Sequence, residues 1–218
     1  MALDFFEKKV PKIVIKYGKL LDPIFIFYCQ NNPELKTRGW NDWVPPPKEE
    51  MFKRVENYKK EWSRLEAKIL RGICRVLDLS FKQNAIDVYI VSGNPRQLSD
   101  PIVIKGGFSS DEFVNSLAHE LIHKLIQHNG EIIPISILDE MFLGETDTVR
   151  NHVVVHAVLK HIYLDVLKDE KRLERNVDSS KKHNTNDYSR AWEIVEKDGY
   201  MEIIKKFKSK IKRGLLVS

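Results

Sequence analysis

The sequence contains little cysteine, because Cys29 and Cys74 are the only two among 218 residues. Two cysteines cannot supply the cluster of thiolates on which cysteine-rich zinc sites depend. Cys74 also falls in the middle of a predicted helix, so we expect both thiols to be reduced and buried in a cytoplasmic protein. Any metal site in this chain must therefore use histidine and carboxylate ligands.

Long hydrophobic runs are also missing from the sequence. The most apolar early stretch, Pro23 to Cys29, is far too short to span a bilayer, so we expect no membrane association. The first twelve residues include acidic side chains and lack a basic start followed by an apolar run, which predicts that there is no signal peptide. The sequence shows no internal repeat. These patterns favour a cytoplasmic location.

The composition is that of an ordinary globular protein, with 42% hydrophobic and 10% aromatic residues. A chain of this length can bury a sizeable core, and we expect one compact unit overall. Within it, residues 1–48 should form an N-terminal helical segment with a proline-rich connection, and residues 49–218 should form the main domain. The formal charge of +5 and the pI near 9.0 permit a nucleic-acid partner without requiring one. The sequence does not indicate an oligomeric state.

The first half of the chain changes from a helical to a strand pattern. We expect one or two helices before Cys29, and an extended connection at Pro45 to Pro47. Apolar residues at helical spacing predict a long amphipathic helix from about Lys48 to Leu79. Alternating, β-branched segments at Ala85 to Gly93 and Pro101 to Gly107 predict two strands, which could pair as a hairpin.

The second half is predicted to be mostly helical. Ser109 and Glu112 have the spacing of a capping box, which places a helix start at Ser110, and Asn129 with Gly130 should end that helix. A second helix is expected over residues 146–168, a charged mobile loop over 169–187, and a last helix from Tyr188. Together these patterns predict an α+β fold that is mainly helical, with a small β-sheet preceding the helix that starts at Ser110.

That helix carries the sequence HELIH at residues 119–123. Residues four apart lie one turn apart on the same helical face, so His119 and His123 can direct their imidazoles at one point. Glu120 projects about 100° further round the helix, beside a metal without having to bind it. Two neutral nitrogen ligands and a nearby carboxylate are what metal-assisted hydrolysis needs, with Glu120 acting as general base and then acid.

The pattern around the motif favours a metal site over two structural histidines. The apolar residues of the helix cluster on the side opposite the two histidines: Val114, Leu117, Ala118, Leu121 and Leu125. A structural histidine would be expected on the core face instead. With seven histidines in the chain, the expected number of HExxH matches by chance is on the order of 0.02.

The motif, entered from an extended strand and followed by a second helix, resembles the zincin metallopeptidases, particularly their compact gluzincin-like and SprT-like members. The resemblance covers roughly Ile102 to His161. It implies a zincin-like domain that uses Zn²⁺ to hydrolyse bonds in a peptide or protein substrate, through a zinc-bound water activated by Glu120. In that family the strand before the motif is commonly the edge on which the substrate lies. Residues 101–107 would then hold the substrate by backbone pairing.

A catalytic zinc needs a third protein ligand. His128 lies round the helix from the predicted metal face, and the residues after His123 lack the metzincin continuation. In the second helix, Glu145, His152 and His156 fall on one stripe at spacings of seven and four. We take His152 as the third ligand and Glu145 as the alternative, with His156 beside the site or contacting the transition state.

Two other features could serve the site or a partner. Tyr188 and Arg190, at the start of a helix, could stabilise an oxyanion, as tyrosine, histidine or arginine residues often do in zincins. The basic run at residues 204–213 could contact nucleic acid, as in SprT-like proteases, although a solvated helix face is the simpler interpretation. The competing hypothesis for the whole chain is a non-catalytic, basic protein that binds nucleic acid or protein and carries a vestigial HExxH helix.

Overall fold

The structure, a computed structural model, describes residues 10–40, 42–133, 136–182 and 185–217. The chain groups into two compact units. One, which we call the sheet unit, combines residues 11–66 with 83–121, and the other, the helical unit, combines residues 67–82 with the chain from 122 onward. This grouping differs from the predicted division at residue 48.

The sheet unit contains a four-stranded sheet. Its strands are β1 (Lys12–Tyr17), β2 (Ala85–Val91), β3 (Leu98–Ser99) and β4 (Ile102–Lys105), in the spatial order β1-β2-β4-β3. The pairs β1 with β2 and β2 with β4 are parallel, whereas β3 runs antiparallel to β4. β2 has alternating exposed and buried residues over most of its length, as its sequence predicts.

The two strands predicted from sequence are present, but they do not form a hairpin. β2 and β4 pair in parallel, with Val88 opposite Ile102, and the short β3 in the connection pairs antiparallel with β4. β4 therefore lies between two strands and is not the edge of the sheet. The expectation that residues 101–107 form an open substrate-binding edge is wrong for this reason.

The segment before Cys29 also differs from its prediction. Residues 12–17 form a strand, in which Ile13 and Ile15 are buried and the backbone pairs with β2. The partner of this β-branched segment is β2, which lies far along the chain, so a short window of sequence does not show the pairing. A helix, α1 (Asp22–Asn31), follows it. Residues 1–9, where the predicted helical segment begins, lie outside the described residues.

The sheet unit contains further helices after α1. They are α2 (Pro33–Leu35), a π-helical turn (Lys36–Trp40) and the first part of α3 (Lys48–Leu77). The predicted long amphipathic helix is confirmed in α3, where Trp62, Ile69 and Ile73 are at most 1% exposed. The residues at 43–47 have no regular structure, as Pro45 to Pro47 predict.

The helical unit packs several helices around a core rich in valine and isoleucine. Besides parts of α3 and of α4 (Ser110–His128), it contains α5 (Ser136–Met141), α6 (Asp147–His161), a π-helical turn (Ile162–Leu167), α7 (Glu170–Ser180), α8 (Asp187–Asp198) and α9 (Tyr200–Val217). α6 is nearly all buried from His152 to Leu159. α6 contacts both α8 and α9. The helix predicted over residues 146–168 is therefore the central helix of this unit.

Two predictions for the C-terminal part are wrong. The charged segment expected to be a mobile loop contains α7, because Asp169 caps the helix by accepting a hydrogen bond from the Arg172 backbone, and the Arg172 side chain is buried. The single last helix is two helices, α8 and α9. Gly199 separates them with a φ of 80°, a left-handed backbone that glycine adopts without strain.

The architecture is α+β and mainly helical, with the small sheet preceding most of the helices, as the sequence predicts. Cys29 and Cys74 are free thiols and both are fully buried, which confirms the expectation of two reduced, buried cysteines. Among the described residues, every helix falls short of the length and hydropathy needed to cross a bilayer.

Candidate metal centre

The helix that carries HELIH starts where the sequence predicts. The Ser109 backbone N–H donates to Glu112 Oε2 at 2.8 Å, and the Glu112 N–H donates back to Ser109 Oγ at 3.3 Å. This reciprocal capping box satisfies two backbone donors that the first turn would leave without partners. At the other end, Asn129 Nδ2 donates to the Leu125 carbonyl at 2.8 Å, and the helix ends at His128.

Within α4, the histidine face and the apolar face are separate. The five apolar residues named from the sequence are at most 1% exposed, whereas His119 and His123 are only partly buried. α4 is one continuous helix, and the turn of four residues between His119 and His123 brings their rings to the same face. The burial pattern thus agrees with the prediction that these histidines do not face the main apolar stripe.

A third histidine, His152 on α6, completes a cluster. One ring nitrogen from each of His119, His123 and His152 lies within 4.8 Å of the others. The rings of His123 and His152 meet edge to face, with centroids 5.0 Å apart. Tetrahedral zinc ligands at 2.0–2.1 Å from the metal are about 3.3 Å from one another, which is within this bound of 4.8 Å.

The tautomer of His152 is fixed by its own helix. Its Nδ1 lies 2.6 Å from the Thr148 carbonyl oxygen, one turn earlier in α6. A carbonyl can only accept a hydrogen bond, so Nδ1 carries a proton, and in the neutral ring Nε2 has the lone pair. Metal-binding histidines in proteins are commonly oriented by such a bond from the second ring nitrogen.

The electrostatic surroundings keep His123 neutral. Burial, and to a smaller extent the neighbouring His152, lowers the pKa of His123 to about 3. An imidazole must be deprotonated to bind a metal ion, so a low pKa leaves His123 ready to do so at neutral pH. Three imidazoles form a donor set that suits a transition-metal ion such as zinc, copper, iron or nickel.

Glu120 points to a different partner from the histidines. It is 6% exposed, and its Oε2 accepts a hydrogen bond of 2.6 Å from Ser99 Oγ on β3, within the sheet unit. Burial raises the pKa of Glu120 to about 7, although the Ser99 hydrogen bond acts in the opposite direction. A carboxyl group with a pKa near neutrality can both accept and return a proton, which is the property a general base and acid needs.

Glu145 is outside the histidine cluster. It precedes α6, and Arg190 of α8 holds its carboxylate through three hydrogen bonds of 2.7, 3.2 and 3.3 Å. The hydrogen bonds from Arg190 lower the pKa of Glu145, because they favour the charged carboxylate. The structure therefore brings His152 to the motif and gives Glu145 a guanidinium partner. Arg190 also pairs with Glu193, a second carboxylate.

The rings of His156 and Tyr188 are both neighbours of the His152 ring. The His156 ring is 1% exposed and stacks on Trp192 of α8, with centroids 4.4 Å apart at an angle of 14°. This burial favours a supporting position in the α6–α8 packing over direct contact with a substrate. Tyr188 is half-buried, and its ring lies 4.3 Å from that of His152. Trp192 donates to Ser180 Oγ at 3.1 Å, which joins α8 to the end of α7.

Two groups that contact the site residues have little or no signal in the sequence. Ser99 belongs to a two-residue strand that no periodicity predicts, yet its hydroxyl contacts the carboxylate of Glu120. The Thr148 carbonyl is a backbone group, and only the spacing of four between residues 148 and 152 could have suggested its bond to His152. Both contacts orient groups that the sequence does identify.

Comparison of the chain with protein-family models, with curated proteins and with solved structures finds no match in any of the three. The chemistry of the site therefore has to be argued from this chain alone. The site combines a nitrogen donor from each of three histidines, which lie within 4.8 Å of one another, with the buried carboxylate of Glu120, which follows His119 in α4.

Proposed function

We propose that the chain is a zinc-dependent metallopeptidase, similar to zincins, that hydrolyses bonds in a peptide or protein substrate. The observation that supports this proposal best is the convergence of His119, His123 and His152 within 4.8 Å. The first two come from one helical motif and the third from a helix some thirty residues later. Three histidine ligands with an open fourth position are a known arrangement for catalytic zinc.

The three histidines would hold the metal through neutral imidazole nitrogens. The bond from His152 Nδ1 to Thr148 leaves Nε2 as its donor atom, and burial keeps His123 unprotonated. When bound there, Zn²⁺ supplies a Lewis acid that polarises a carbonyl group and makes water a better proton donor. A histidine as third ligand makes the site more similar to SprT-like than to gluzincin-like zincins.

Glu120 is the proton carrier in this proposal. It would take a proton from the attacking water and deliver it to the leaving amine, which requires a carboxyl group that changes protonation state near neutral pH. Its hydrogen bond from Ser99 holds one carboxylate oxygen in place and leaves the other for the reaction. Because Glu120 follows His119 directly in α4, the helix sets its position relative to the histidines.

Tyr188 is the side chain best placed to assist. Its ring packs on that of His152, so a ligand that reaches the histidine cluster would come close to this residue. A phenol hydroxyl can donate a hydrogen bond to an oxygen that gains negative charge during the reaction. Arg190, the other residue predicted for this role, pairs with Glu145 and Glu193 instead.

The first experiment measures metal content and hydrolysis on the same samples. Purified protein should contain about one zinc ion per chain, measured by inductively coupled plasma mass spectrometry. The variants His119→Ala and His123→Ala should lose this zinc. Glu120→Gln should retain zinc while peptide hydrolysis, followed with a mixed library of fluorescence-quenched peptides, falls by at least about 100-fold. Glu145→Gln is the matched control, with the same chemical change outside the cluster, and should keep both zinc and activity.

Two results would overturn the proposal. Protein that holds no zinc, and loses nothing when His119 or His123 is replaced, has no metal centre at this site. Protein that holds zinc but cleaves simple esters and no peptide in the library is a zinc hydrolase with another substrate class.

A further inference from the structure

The helix α3 carries a row of positive charges that the metal centre does not use. Its members are Lys53, Lys60, Arg64, Lys68, Arg71 and Arg75, and all six are exposed. We call this set the basic face of α3. Because α3 is one continuous helix from Lys48 to Leu77, the angular positions of these residues follow from the helix itself.

The arrangement of the basic face is unusually regular. At about 100° per residue, the six residues occupy an arc of only about 80° around the helix. Asn57 is the one other residue of the segment 53–75 within this arc, so no acidic residue interrupts it. At a rise of about 1.5 Å per residue, the row is about 33 Å long, and from Lys60 onward successive residues are about 4.5–6 Å apart along the helix axis.

Within residues 53–75, the acidic residues of α3 lie outside the arc. Glu61, about 20° beyond it, forms an ion pair of 3.0 Å with Arg64, whose side chain remains 70% exposed. Such exposed pairs contribute little free energy and exchange readily with other anions. A row of six like charges on one helix is a self-repelling arrangement, and an extended anion placed along it would relieve that repulsion.

The C-terminal end of the basic face borders a cavity in the helical unit. The cavity has a volume of about 380 Å³, and Lys68, Arg71, Arg75 and His161 contribute to its lining. Its floor includes Gly72, where a Cβ atom would lie 2.6 Å from Ile162 Cδ1. Asp165 is the acidic neighbour of this cluster, and its carboxylate accepts hydrogen bonds from His161 and Tyr200. Lys68, Arg71 and Arg75 thus place three formal positive charges around this cavity.

We propose that the basic face of α3 binds the phosphate backbone of a nucleic acid. A backbone of repeated phosphates matches a straight row of cations at regular spacing, whereas a single small anion would use only one or two of them. The face presents no aromatic side chain within its arc, so it offers contacts to phosphates and none that stack on bases. The binding is therefore independent of base sequence.

The charges of α9 are a poorer candidate for the same role. Lys210 pairs with Glu140 and Lys205 lies 3.7 Å from Glu202, so acidic partners accompany the lysines of that helix. The basic run predicted from sequence as a nucleic-acid contact is thus mixed with carboxylates in the structure. Between residues 53 and 75, the acidic residues of α3 lie outside the arc of the basic face, and Glu50, in the turn before Lys53, pairs with Arg54.

The test measures fluorescence anisotropy of labelled oligonucleotides at salt concentrations from 50 to 200 mM. A single-stranded RNA and a duplex DNA of equal length show which form of nucleic acid is preferred. The test variant carries Lys60→Gln, Lys68→Gln and Arg75→Gln, and the matched control carries Lys171→Gln, Lys182→Gln and Lys197→Gln. Both sets remove three exposed positive charges, but the control residues lie on or near α7 and α8.

The wild-type chain and the control should bind with a similar, strongly salt-dependent affinity. If the three test residues contact phosphates, the slope of log affinity against log salt should decrease by about 2 for a single strand or about 2.7 for a duplex. The affinity at 50 mM salt should fall by at least about tenfold. A second variant with Lys53→Gln, Arg64→Gln and Arg71→Gln should behave in the same way, and melting curves would show that each variant is folded.

Several outcomes would overturn the proposal. One is the absence of binding to either oligonucleotide at 50 mM salt, and another is an equal loss in the test and control variants. A loss caused by Lys205→Gln with Lys206→Gln, and not by the α3 variants, would assign binding to α9. Binding to vesicles that contain phosphatidylserine, but to neither oligonucleotide, would assign the face to a membrane surface. Because every measurement can be made with chelator present, the result does not depend on the zinc proposal.

Discussion

The choice between His152 and Glu145 as third ligand can be tested through the heat stability of the protein. A ligand that binds only the folded state stabilises it by about 2.7 kcal/mol when present at 100 times its dissociation constant. For a chain of about 200 residues, each kcal/mol raises the melting temperature by about 2–4 °C. Zinc should therefore raise the melting temperature of the wild-type protein by about 5–11 °C.

His152→Ala should remove most of this increase. His152 is 9% exposed, and its ring lies against those of His123 and Tyr188. Alanine at this position would remove one of the three nitrogen donors of the cluster. Loss of an outer partner of a metal ligand already costs 10–100-fold in affinity, and loss of the ligand itself should cost at least about 100-fold. At the same zinc concentration the stabilisation falls to about 0.4 kcal/mol, or about 1–2 °C.

The matched variant is Glu145→Gln. It breaks the exposed ion pair with Arg190, which is worth only about 0–1 kcal/mol, and should leave the zinc-dependent increase unchanged. The assay is differential scanning calorimetry with zinc and with chelator, so that each variant serves as its own reference. The reasoning would be refuted if His152→Ala kept the full increase and Glu145→Gln lost it, since Glu145 would then be the ligand.

Three further predictions concern the rest of the molecule. In metal-free protein between about pH 7 and 4.5, Glu120 is protonated in the folded chain and ionised in the unfolded chain. His123 does the reverse below about pH 6.5, where it is protonated in the unfolded chain and neutral in the folded chain. As the pH falls from about 6.5 to 4.5, the free energy of unfolding of Glu120→Gln should therefore drop by about 1.4 kcal/mol per pH unit relative to wild type, and an equal pH dependence in urea titrations would contradict this. Ser109→Ala removes one half of the capping box and should lower the free energy of unfolding by about 0.5–2 kcal/mol, whereas no change in the urea midpoint would show that the cap is dispensable. Burial raises the pKa of the Cys29 thiol to about 11, so at pH 8 its labelling by a disulfide reagent should be at least about 100-fold slower in the native protein than in urea, and fast native labelling would show that the thiol is accessible.

Local features of the fold were predictable because their causes are local. The start of α4 depends on two residues three positions apart, and its end on the residues that directly follow it. The amphipathic α3 follows from a helical period that is repeated over thirty residues. α7 was missed because its composition is polar, and its stability comes from the cap at Asp169 and the burial of Arg172.

The sheet was less predictable because a strand finds its partners elsewhere in the chain. β1 and β2 are separated in the sequence by α1, α2 and all of α3 and yet pair residue for residue. Whether β4 is an edge or an inner strand depends on the two residues of β3, which carry no pattern of their own. A single window of sequence contains neither fact.

The sequence by itself determined the motif and its local geometry. The α-helical period places His119 and His123 on one face, puts Glu120 beside them and turns the apolar residues away, whatever the rest of the chain does. Only the tertiary structure decided that His152, and not Glu145, lies next to His123, and that Ser99 contacts Glu120. The physical reason is that helix geometry acts over four residues, whereas the choice of a third ligand depends on how separate segments pack.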